Sequence, residues 1–258
     1  MTLAPLPAER FLEEAERLVA AAESRGFPLR ICGSVGIYYA VRQDPVAVSL
    51  YALRDGTDPP HVAFKDLDLA GREKNAAAVY HLFVRDLGFR EDRETNALFG
   101  SFRNIFYHPQ FLIDVFYDTL RFNHAIPIKN RLFPGVALSP EDLFLGKIQI
   151  HAPLRKDLVD VGAFVATVPL DRLDRSYLTS FFADDWGLWY DAHLNLAEAH
   201  RLFANLPGTV PPDQRGLVLL RLQEYQRFLA DVPKTRRWEK RQAKGTKEAW
   251  YEPVDEVR

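Results

Sequence analysis

Hydrophobic positions along the chain follow two different periods. Near the start, Phe11, Ala15, Leu18, Val19 and Ala22 fall at i, i+4, i+7, i+8 and i+11, one face of a helix. Gly26 is placed to end it. A short strand is expected over 28–32 ("PLRIC"), then a tight Gly33-Ser34 turn, then a helix over 35–43. The stretch 44–61 carries Asp-Gly and Pro-Pro turn signals and reads as an inserted excursion with a strand at 46–53. Residues 62–71 ("VAFKDLDLAG") have strand character, and a helix over 75–88 follows, closed by Gly88. Strand-like runs over 96–107 and 110–118 are separated by His-Pro-Gln, the pattern of a hairpin, and 126–138 holds a third, broken run. From Ser139 the period changes. "SPED" is a helix start with proline in the first turn and acids that complement the dipole, and helical spacing then prevails through 215–232.

This order predicts an α/β (α+β) protein. A mixed small sheet flanked by helices occupies 1–138, and a helical domain with a basic C-terminal tail occupies 139–258. Within that tail, 234–247 carries seven Lys and Arg against one Glu. Such a run reads first as a solvated or disordered tail. Its second reading is a strip for nucleic acid or phosphate, with Trp238 and Trp250 available to stack.

Composition narrows the picture. At 258 residues and 47% hydrophobic content the chain can bury a substantial core, and a formal net charge of −2 provides no global basic field. Cys32 is the only cysteine, which rules out an internal disulfide framework and any CxxC metal site; beside the Gly-Ser turn it is expected to be buried and inert. The first 26 residues lack a basic region followed by an apolar stretch, so no signal peptide is expected. No apolar run approaches the roughly 20 residues that span a bilayer. A cytoplasmic location with no membrane partner is therefore expected. His193 and His200 lack metal-ligand spacing, and the aromatic run 181–194 is expected to form core.

The chemistry lies in the acids. Asp66 and Asp68 are one residue apart in a strand, so they share a face while Leu67 and Leu69 share the other. Like charges that close repel, which a divalent cation would offset; a solvated strand end at the sheet rim is the plainer alternative. Asp114 is embedded among Phe111, Leu112, Ile113, Val115 and Phe116 and needs a partner. Across a sheet from Asp66 and Asp68 it would complete a three-carboxylate cluster of the kind that holds Mg²⁺ with substrate phosphates. Asp118, four residues on, is a weaker member nearer the strand end. The Gly33-Ser34 turn before a helix offers free backbone N–H groups, a seat for phosphate, although Ser34 also suits a simple helix cap.

Gly33, Ser34, Asp66, Asp68 and Asp114 together resemble the pattern of the polymerase-β-type nucleotidyltransferase superfamily: Gly-Ser, a helix, Asp-x-Asp on the next strand and a third acid on a later strand. The segment 138–164 ("LSPEDLFLGKIQIHAPLRKDLVDVGAF") is similar to the helical block of AbiEii-type nucleotidyltransferases, the toxins of type IV toxin–antitoxin systems. Lys147, Arg155 or Lys156, Asp157 and Asp160 occupy the matching positions, and the likeness covers roughly 29–165. One departure is the gap between turn and acids, lengthened by 44–61.

The resemblance implies a nucleotidyltransferase fold and Mg²⁺-dependent transfer of a nucleoside monophosphate from an NTP to a hydroxyl. It makes Asp66, Asp68 and Asp114 the metal ligands of a two-metal site. Lys147 becomes a charge on the phosphates, and Asp157 and Asp160 either lie near the nucleotide, orient Lys147 or form an ion pair with Arg155 or Lys156. The acceptor it allows is tRNA, protein or a small molecule, with a cognate antitoxin as partner if the chain is a toxin. The alternative is a catalytically inactive nucleotide-binding or regulatory module of the same fold. A glycosidase is a poorer match, because acids on one strand face are too close to flank a sugar.

Overall fold

The structure, a computed structural model, describes residues 6–51, 53–54, 62–206 and 210–253. The first part of the chain runs β1 (Leu6–Pro7), α1 (Ala8–Glu23), β2 (Arg30–Ile31), α2 (Gly33–Val41), α3 (Pro45–Tyr51), β3 (Ala63–Phe64), β4 (Asp66–Gly71) and α4 (Ala76–Tyr80). Next come β5 (Arg90–Glu91), α5 (Arg93–Phe99), β6 (Arg103–Tyr107), β7 (Leu112–Tyr117), β8 (Thr119–Arg121) and β9 (Ala125–Pro127). The remainder is helical: α6 (Pro140–Ile148), α7 (Arg155–Thr167), α8 (Arg175–Asp184), α9 (Trp186–Ala204), α10 (Pro212–Asp231) and α11 (Arg236–Lys244). The fold is thus mixed α/β with a small mixed sheet. Among the described residues no helix is long and apolar enough to cross a membrane.

Two compact units divide the chain. The first takes 1–39, 61–121 and 125–143; the second takes 40–60, 122–124 and 144–258. The first unit is built on a five-stranded sheet ordered β2-β4-β7-β6-β5, in which β4 and β7 run parallel and the other neighbours antiparallel. Leu67 and Leu69 of β4 and Ile113 and Val115 of β7 are fully buried on one face, as the alternation requires. Phe11 of α1 packs against Phe64 and Phe111, and Phe83 meets Phe106 of β6 edge-on. In the second unit, Phe144, Phe164 and Tyr225 join α6, α7 and α10 in one aromatic core.

Several expectations need correction. The proposed strand at 46–53 is helix α3: Asp44 accepts the Val46 N–H at 2.9 Å, Pro45 opens the turn, and Ala47, Leu50 and Tyr51 are buried at helical spacing. Val46 and Val48 have high β-propensity, which the aspartate and proline at the helix start override. The Asp-Gly and Pro-Pro signals at 55–60 lie outside the described residues. The first half of the 96–107 run belongs to α5, because Asp92 caps it by accepting the Thr95 N–H at 3.0 Å. The 75–88 helix exists, but its second half, His81–Asp86, is wound as a π-helix. Of the run 126–138 only the end of β9 is a strand; beyond it Val136 and Leu138 hydrogen-bond Ile31 of β2 as an isolated bridge segment. The basic segment is ordered rather than loose, although most of its lysines and arginines are solvated. It forms α11, capped by Thr235 and anchored by the buried Trp238, which removes that indole from any stacking surface.

Candidate functional site

The carboxylates of the first unit share one face of its sheet. In the parallel β4–β7 pairing Asp68 lies directly opposite Asp114, and Asp66 opposite Leu112. Strand alternation therefore places all three acids on the same side. The Gly33 turn belongs to this group in spite of the long intervening stretch. β2 pairs antiparallel with β4, the Cys32 N–H donates to the Asp68 carbonyl at 2.9 Å, and a Cβ on Gly33 would overlap Asp68 Oδ2. Gly33 also has φ +59°, which L side chains rarely adopt. α2 starts at Gly33, so Ser34 sits in its first turn and the positive end of the helix adjoins the Asp68 carboxylate. Cys32 is buried, as expected.

Sequence reasoning missed Arg103. It opens β6 two residues before Ile105, the register partner of Asp114, and lies diagonally across the β6–β7 ladder. Its Nε is 2.9 and 3.0 Å from the two Asp114 oxygens, and Nη2 bonds the second of them. The hairpin register would have revealed it, since Tyr107 opposite Leu112 fixes every later pair. Burial pushes the Asp114 carboxyl above its ordinary value; the Arg103 fork opposes that shift and Asp66 adds to it. Burial also works against the Arg103 charge, but Asp114 and Asp68 outweigh it and raise the guanidinium's pKa. Asp118 stands apart from this group: it follows β7 at φ 56° and faces Lys129 at 3.4 Å.

Donor type fits a hard cation such as Mg²⁺: three carboxylates face one way against one guanidinium, a local surplus of negative charge. Among the described residues no three His, Cys, Asp or Glu side chains are drawn together into a ready metal cage. The bond from Arg103 to Asp114 is what the arrangement has instead.

The other residues singled out from the sequence lie in the second unit and bind one another. Lys147 Nζ is 2.9 Å from Asp157 Oδ1 and 2.9 Å from Asp160 Oδ2, and Arg54 Nε is 2.6 Å from Asp160 Oδ1. All four are buried. Burial opposes the Lys147 charge, yet Asp160 and Asp157 raise its pKa above the lysine value. Asp157, pushed up by burial, is pulled below its ordinary value by Lys147 and by the Leu154 N–H. Both acids thus pair with Lys147, and Asp160 with Arg54 as well, while Arg155 donates to the Leu53 carbonyl at 3.3 Å.

A further buried polar group was not foreseen. Asp191 on α9 binds His124 Nε2 at 2.8 Å and His151 Nδ1 at 3.0 Å, and accepts the Trp250 indole N–H at 3.1 Å. No protein-family model matches the chain, and comparison with curated proteins and with solved structures finds no similar one.

Proposed function

We propose that the chain is a Mg²⁺-dependent nucleotidyltransferase that moves a nucleoside monophosphate from an NTP to an acceptor hydroxyl and releases pyrophosphate. The observation that carries this reading is the in-register Asp68–Asp114 pair on parallel strands, with the Gly33 turn closed onto Asp68. Asp66, Asp68 and Asp114 would hold the ions. Those ions would supply positive charge to the phosphates and acidify the attacking hydroxyl. The chain's own groups do the rest. N–H groups in the first turn of α2 seat a phosphate. Asp114, on the same sheet face as Asp66 and Asp68, would help remove the proton of the acceptor hydroxyl. The acceptor is tRNA, protein or a small molecule, and a toxin role would bring a cognate antitoxin.

The test is label transfer. Each of the NTPs, labelled at the α-phosphate, is incubated with Mg²⁺, total tRNA and the protein, beside an Asp66→Ala, Asp68→Ala control. Label moved by the wild type alone supports the reading and names the acceptor class. The Arg103 fork favours a second reading, a nucleotide-binding module without catalysis, since it occupies the third carboxylate. That reading predicts Mg²⁺-dependent NTP binding, lost in the double variant, without transfer. Neither binding nor transfer would return the aspartates to a solvated sheet rim.

A further inference from the structure

The acid face carries a cation of its own. Arg103 engages both oxygens of Asp114 in a planar fork, and its guanidinium carbon lies 5.4 Å from the centre of the Phe116 ring. The two partners differ in exposure: the Arg103 side chain is 24% exposed and that of Asp114 9%. The acid is fixed in the sheet, whereas the arginine, on the first residue of its strand, has a route to solvent. A carboxylate whose oxygens are both taken by a guanidinium offers little to a metal ion.

We propose that Arg103 is a displaceable counter-ion, a latch on the third carboxylate. It neutralises Asp114 in the absence of a divalent cation, and it must leave Asp114 before Asp114 can become a ligand. The proposal rests on the reading of the three acids as a divalent-cation site. Arg103 then sets metal affinity. A guanidinium freed by the metal is available to a polyphosphate, so cation and nucleotide each strengthen the binding of the other.

The test is Mn²⁺ binding to the full chain by calorimetry, without nucleotide. The proteins are wild type, Arg103→Gln, Arg103→Lys and Asp66→Asn. Arg103→Gln is expected to bind Mn²⁺ about tenfold tighter than wild type, the equivalent of one charge-assisted hydrogen bond removed from the competition. Arg103→Lys keeps the charge without the fork and should fall between them; if Arg103→Gln fails to fold, this comparison decides. Asp66→Asn should weaken binding. Equal or weaker binding by both Arg103 variants, with wild-type binding intact and lost in Asp66→Asn, overturns the latch and leaves the acid site standing. No Mn²⁺ binding by any of the proteins overturns the acid site, and the latch with it.

Discussion

A methyl group on Gly33 has nowhere to go. Its Cβ would overlap the Asp68 carboxylate, and its backbone already sits at φ +59°. Gly33→Ala is therefore expected to cost about 1–3 kcal/mol in denaturant unfolding, from strain at a left-handed position and a displaced acid. If the acid face holds a divalent cation as proposed, Gly33→Ala should also weaken Mn²⁺ binding, because Asp68 must move. Gly26 makes the contrast: it too has positive φ, but a Cβ there meets nothing within 4 Å. Gly26→Ala should show the backbone strain alone and leave the Asp68 carboxylate where it is. The glycine of the turn was legible from its place between strand and helix. The reason for it, a carboxylate 35 residues further on, emerges only from the β2–β4 pairing.

Single elements show where pattern reading succeeds and where it stops. β4 and β7 were legible because apolar side chains alternate with acids in a period that only a strand satisfies. α3 and α5 were not, since each is decided by an aspartate cap just outside a run whose valines or aromatics favour strand. α9 carries a prediction of its own. Burial would raise the Asp191 carboxyl, but the bonds from His124, His151 and Trp250 hold it below the ordinary aspartate value. Its contribution to stability is therefore full above the ordinary aspartate value and drains away as pH falls through the lowered one. Asp191→Asn should flatten the acid limb of the stability profile, measured by thermal melts across acidic pH, and leave the neutral region less stable.

Across the molecule, the change of character read near 138 lies close to the division between Leu143 and Phe144, while 40–60 and 122–124 join the second unit. Those pieces were not assignable beforehand because side chains tie them there, Arg54 to Asp160 and His124 to Asp191. Within this unit Lys147 pairs with two buried acids, Asp157 and Asp160. Lys147→Met should cost about 3–5 kcal/mol in global unfolding, because it takes the lysine from the buried Asp157 carboxylate and leaves Asp160 to Arg54. A lysine reserved for substrate would cost far less. Time adds something that the finished structure only implies. The β6–β7 hairpin closes over four residues, 108–111, whereas the parallel β4–β7 pairing must wait for a crossover of some forty. Short loops close first. Asp114 thus meets the Arg103 guanidinium before it meets the like charge of Asp68, so the folding chain need not bury that carboxylate alone.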